Sequence, residues 1–199
     1  MINEKKLRKM YLVQGFSMQT IADKVGCSLH CVQYWMQKYG INVRTRSEAG
    51  YLQNNPGGDP FRLKSRFTRN DLVLLGVGLG IWWGEGNKRH KGAIRVGNSD
   101  PKLIKAFIDF LREICGVKKS KLLFGLQVFS DINSVAAKKY WVKELGVSGD
   151  QFLPKIVVTP KRGPGTYKHR SKYGVLTIYC INIKLRRVMD VLMEKYAFR

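Results

Sequence analysis

Apolar positions recur at helical spacing in the first forty residues, and mixed helical and alternating runs return after residue 67. Leu7, Met10 and Tyr11 predict a helix over residues 4–14. Ser17 is placed to cap a second helix, 18–25, that turns Ile21, Ala22 and Val25 inward, and Gly26-Cys27 makes a tight turn. Ser28 caps a third helix reaching Lys38, with Val32, Trp35 and Met36 inward. Past Gly40 the pattern fades. Residues 47–66 carry Gly50, Asn54, Asn55, Pro56, Gly57, Gly58 and Pro60, which predicts a linker. The chain therefore divides into a small all-α domain over 1–46, the linker, and a larger domain over 67–199.

In the larger part, Thr68 or Asn70 caps an apolar helix ending near Gly86, with Asp71 in its first turn. Residues 93–97 alternate as a strand. Ser99-Asp100-Pro101 starts a helix that turns Leu103, Phe107, Phe110, Leu111 and Ile114 inward and stops at Gly116. Residues 121–130, 152–159 and 173–181 read as strands, and a helix opens at Asn133 or Ser134 and runs to Leu145. Asn182 caps a last helix ending near Tyr196. The expected class is α+β, with an antiparallel sheet covered by helices on one face. Arg95, Gln127, Lys155, Thr177 and Tyr179 fall on its other face.

The apolar helix stands apart. From Leu72 to Gly84 it has no charged residue and no side-chain amide, so the wheel predicts burial on all sides. It is too short to span a bilayer, which needs about 20 apolar residues. Gly76, Gly80 and Gly84 recur every four residues along one face. Each glycine costs about 1 kcal/mol in a helix interior, so three on one face point to close approach by another helix. One carboxylate, Glu85, ends this rod, followed by Gly86.

Charge narrows the partners. The chain of 199 residues holds 36 Lys+Arg against 14 Asp+Glu, a formal net charge of +22, and 44% of its residues are hydrophobic. It can bury a core, and a polyanion is its default partner, nucleic acid ahead of an acidic membrane. Neither an apolar signal core nor a membrane-spanning segment is read from the sequence, so a cytoplasmic address is expected. Cys27, Cys31, Cys115 and Cys180 match no disulfide framework or paired zinc spacing, and the close trio Cys27, His30 and Cys31 lacks a fourth ligand.

In the first domain, Ala22, Gly26 and Val32 have helix-turn-helix spacing: a small residue where the helices cross and a left-handed turn between them. Leu29, His30, Gln33, Tyr34 and Gln37 are left outward on the third helix, suited to base edges in a major groove. Arg44 and Arg46 form a short basic arm able to enter a minor groove or touch phosphate. The segment 160–172 adds a basic loop carrying Lys161, Arg162, Lys168, His169, Arg170 and Lys172. No serine, cysteine or histidine nucleophile is arranged for hydrolysis, and the glycines of the apolar helix do not form a phosphate-binding loop.

Gly78 to Gly86 resembles the nine-residue motif that names the LAGLIDADG homing endonucleases. Gly80, Ile81, Glu85 and Gly86 match, Gly84 holds the small-residue position, and Glu85 stands where the family usually has Asp. Gly78, Trp82 and Trp83 depart from its usual residues. With one motif per chain, the resemblance is to the single-motif type, extended by the helix-turn-helix. It implies that motif helices pair at a homodimer axis through Gly76, Gly80 and Gly84, and that the terminal acids hold catalytic divalent metal. It implies too that the open sheet face lies in the DNA major groove. The family order is helix, two strands, helix, two strands, helix, so the helix at 134–145 is an insertion.

Phosphodiester hydrolysis uses metal to polarise phosphate and activate water, and magnesium favours carboxylate oxygen. Glu85, with the helix-end carbonyl of Gly84, is the expected ligand set for Mg2+ or another divalent ion such as Mn2+. Asn98 and Lys184 are expected near it as water- or phosphate-positioning residues. The function expected is site-specific cleavage of a near-palindromic duplex. The other reading is a DNA-binding transcriptional regulator with the same fold that does not cut; an RNA-processing helper fits the helix-turn-helix less well.

Overall fold

The computed structural model describes residues 2–160 and 171–196. It is a mixed α+β structure in two compact units, 1–60 and 61–199.

In the first unit, α1 (Glu4–Arg8) continues into a wider turn over Lys9–Val13. The Ser17 hydroxyl accepts the Thr20 N–H to open α2 (Met18–Val25), which Gly26 closes at φ 71°. The Ser28 hydroxyl accepts the Cys31 N–H to open α3 (Leu29–Lys38). Ile2, Leu7, Met10, Tyr11, Ile21, Ala22, Val32, Met36 and Ile41 form the core. The linker expectation needs correction here. Thr45 and Glu48 form a reciprocal capping box that starts α4 (Arg46–Asn54), and the unit extends to Pro60. Gly50 and Asn54 obscured a helix whose start signal is local.

The second unit opens with an ordered segment: Arg62 N–H donates to Cys115 O at 3.0 Å and Lys64 N–H to Ile114 O at 2.9 Å. Thr68 and Asp71 cap α5 (Arg69–Glu85) reciprocally. The sheet comprises β1 (Ile94–Asn98), β2 (Leu123–Phe129), β3 (Val157–Thr159) and β4 (Val175–Cys180), in the order β1-β4-β2-β3. The helices are α6 (Pro101–Asp109, continuing as a wider turn to Ile114), α7 (Ser134–Leu145) and α8 (Ile183–Tyr196). Ile94, Val96, Phe124, Leu126, Val128, Leu176 and Ile178 point into one core with Phe107, Phe110, Trp82 and Trp141.

Two expectations change. The sheet is mixed, because β2 pairs with β3 in parallel. Helix α7 lies between them and carries the chain back to the end of the sheet from which β2 began, as a parallel neighbour requires. Helix α5 is buried on one side only. Leu75, Gly78, Leu79 and Trp82 are buried, whereas Leu72, Val73, Val77 and Trp83 are 43–62% exposed.

Candidate functional site

Glu85 is exposed and ends α5. Gly86 bridges antiparallel to Val96, and Asn87 N–H donates to Arg95 O at 2.9 Å. The chain thus returns from the helix end directly along β1. Gly86 is required here: a Cβ would overlap the Trp82 side chain and carbonyl. Asn98 lies two residues beyond the bridge, where its side-chain oxygen accepts the Asp100 N–H at 2.9 Å and shapes the entry to α6.

Lys88, three residues after Glu85, is engaged at the helix end. Lys88 Nζ donates to Trp82 O at 2.6 Å, a carbonyl that also accepts the Gly86 N–H at 3.0 Å, and to Trp83 O, which the end of α5 leaves without a helical partner. The ammonium lies 5.5 Å from the Trp82 ring centroid. Burial and then the nearby Arg186 charge lower the Lys88 pKa, and Glu85 acts in the opposite direction. Arg186 is 1% exposed, sits 4.8 Å from the Trp82 ring centroid, pairs with Asp190, and donates to Lys88 O at 3.4 Å. This contact brings the first turns of α8, which include Lys184, to the turn behind Glu85. Arg186 is the residue that sequence reasoning passed over. The signal for Arg186 was a cation in the same inward register as Leu185, Met189 and Met193.

The metal-bearing set is therefore small. Among the described residues no group of three or more His, Cys, Asp or Glu could hold an ion, and the Cys27, His30 and Cys31 trio does not form one. Among those residues no hydrogen bond or ion pair engages the Glu85 carboxylate. The donor chemistry of Glu85 with the Gly84 carbonyl fits a hard divalent cation, but one carboxylate per chain makes half a site.

Among the described residues nothing packs on Gly76, Gly80 or Gly84, since a Cβ at any of them meets nothing within 4 Å. The close approach inside the fold occurs at Gly78, against Phe110. The glycine face instead lies beside a hollow of about 310 Å³ lined by Leu72, Leu75, Leu79, Trp83 and Tyr196.

The sheet face opposite the core carries Arg95, Gln127, Thr159, Thr177 and Tyr179, spread over all four strands, with Arg95 directly opposite Tyr179. Gln127 donates to Thr159 Oγ1 at 2.9 Å. Lys155 is exposed just before β3, and the exposed Lys172 ammonium lies 5.4 Å from the Tyr173 ring centroid. Lys161, Arg162, Lys168, His169 and Arg170 lie outside the described residues.

In the first unit Leu29, His30, Gln33, Tyr34 and Gln37 form the exposed side of α3. Arg46 is exposed at the start of α4. Arg44 needs correction as a groove-entering arm. Its guanidinium donates to the carbonyls of Tyr11, Gly15 and Phe16 and stacks 3.8 Å from the Tyr11 ring centroid. Those bonds satisfy one carbonyl in the last turn of the first helical segment and two in the loop after it, so Arg44 holds the fold together.

Among the described residues no helix is long and apolar enough to cross a membrane. Comparison with protein-family models, curated proteins and solved structures found no match.

Proposed function

We propose that this chain is a metal-dependent, sequence-specific DNA endonuclease that works as a homodimer. The observation that carries the reading is Glu85, an exposed carboxylate without a hydrogen bond or ion pair among the described residues, at the end of a helix whose open side is apolar and striped with glycine. Pairing α5 with its copy through Gly76, Gly80 and Gly84 would cover Leu72, Val73, Val77 and Trp83. It would also bring two Glu85 carboxylates together, turning two half-sites into one centre for Mg2+ or Mn2+. The ion would supply phosphate polarisation and an activated water. Asn98 and Lys184 would assist from β1 and the first turn of α8. The open sheet face and the exposed side of α3, acting as a helix-turn-helix recognition helix, would bind duplex DNA, with the net charge of +22 drawing in its phosphates.

One observation favours a second reading, a DNA-binding regulator that does not cut. The Lys88 ammonium already occupies the carbonyl end of α5, on Trp82 O and Trp83 O, and so places positive charge beside the carboxylate a metal would use.

Incubating the wild-type chain and Glu85→Gln with a randomised duplex library, in magnesium or in EDTA, separates the two. The nuclease reading expects magnesium-dependent cuts at a near-palindromic site that the variant does not make. Selection of one sequence without cleavage by either protein establishes the regulator instead.

A further inference from the structure

Arg95 and Tyr179 are cross-strand partners on β1 and β4, and the Arg95 guanidinium lies 5.2 Å from the Tyr179 ring centroid. The ring leans over the next strand. A Cβ at Gly125 of β2 would lie 2.8 Å from Tyr179 Cε2 and 3.2 Å from its hydroxyl. Gly125 is thus a floor on which the aromatic ring rests, and the guanidinium lies within cation–π distance of that ring. Three strands contribute to holding one side chain.

Arg95 gains little from the fold in return. Its Nε is buried with no hydrogen-bond partner, and among the described residues no carboxylate pairs with it. An orphaned buried donor costs about 1–3 kcal/mol, a cost that ordinary packing removes by choosing another residue. Gln127, by contrast, is satisfied locally by Thr159. Among the polar residues of the open face, Arg95 is the one held in place with an unmet donor.

A guanidinium held beside an aromatic ring presents its N–H groups as a rigid fork, which matches a planar pair of acceptors. In a major groove the matching edge is guanine O6 and N7. Phosphate oxygens also fit this fork, but a contact to them carries no preference among bases, and that difference separates the two ligands. We propose that Arg95, laid on Tyr179 above Gly125, is a specificity-determining residue that reads a guanine in the DNA site. This inference rests on the sheet face binding duplex DNA, as proposed above.

Binding selection from a randomised duplex library, with the full chain in calcium so that cleavage plays no part, tests it. Wild type is expected to select guanine at one position of each half-site. Arg95→Lys should still bind but lose about tenfold or more of its preference at that position only. Gly125→Ala should weaken the same preference by displacing the ring, without touching Arg95. Should Gly125→Ala fail to fold, Tyr179→Phe, expected to keep the preference, and Tyr179→Leu, expected to lose it, make the same comparison. An Arg95→Lys variant with unchanged base preference, or with affinity reduced equally for all sequences, overturns the guanine assignment and leaves DNA binding standing. A wild-type chain that binds no duplex overturns the DNA reading and this assignment together.

Discussion

Gly78 faces Phe110: a Cβ on Gly78 would lie 2.7 Å from the Phe110 Cβ and closer still to its ring. Phe110 is fully buried at the end of α6 and also packs on Phe107, with ring centroids 5.6 Å apart, so it has no room to retreat. Gly78→Ala gains about 1 kcal/mol of helix propensity but overpacks this contact, which costs typically 1–3 kcal/mol and more where the neighbours are pinned. Net destabilisation is expected in urea unfolding. Combining it with Phe110→Ala should recover part of the loss, because the new methyl then enters the space left by the ring. Equal costs in both backgrounds would show that the two residues do not meet.

Helix starts were legible because their signals are local. Ser17, Ser28, Asn133 and Thr68 each accept a backbone N–H of the first turn they precede. The Thr45 and Glu48 box is equally local, but Gly50 and the asparagines after it outweighed it in the reading. Burial of α5 was overstated for a different reason. A helix that is apolar all round has no directional pattern, so nothing in its own residues says which side the fold covers. The parallel pairing of β3 with β2 depends on where α7 returns the chain, and residues 152–159 do not contain that information. The Glu85 position was visible as the end of the apolar run. Its surroundings were not, since Arg186 reaches the Lys88 carbonyl across 98 residues of sequence.

Acid should reveal the cap of α5. Asp71 accepts from Lys64 Nζ at 2.7 Å and from the Thr68 N–H and hydroxyl, each at 2.8 Å. The Lys64 bond, then those of Thr68, hold its carboxyl at a pKa of about 2 against partial desolvation. An unfolded aspartate titrates at about 3.9, so the folded state favours the ionised form. The resulting stabilisation is complete above the unfolded value and fades as pH falls from about 4 towards 2. Asp71→Asn removes this contribution, so the stability gap between wild type and variant should narrow over that interval in denaturant titrations. A gap that stays constant with pH would exclude ionisation of Asp71 as its source.

The glycine stripe of α5 permits a prediction in which stability and association move in opposite directions. A methyl at Gly76 or Gly80 meets nothing within 4 Å among the described residues, and each Gly→Ala change in a helix interior contributes up to about 1 kcal/mol. The double variant Gly76→Ala/Gly80→Ala should therefore raise the urea midpoint of the dilute monomer. If the stripe is the surface on which two copies meet, the same methyls separate the helix backbones, and the monomer–dimer equilibrium in sedimentation should shift towards monomer. Under the nuclease proposal, magnesium-dependent cleavage, which would need both Glu85 carboxylates, should fall in parallel, and duplex binding by the proposed recognition helix α3 should persist. A stabilised variant that still dimerises as wild type would move the contact off this face. Three interior glycines on α5 would then have no packing role within or between chains.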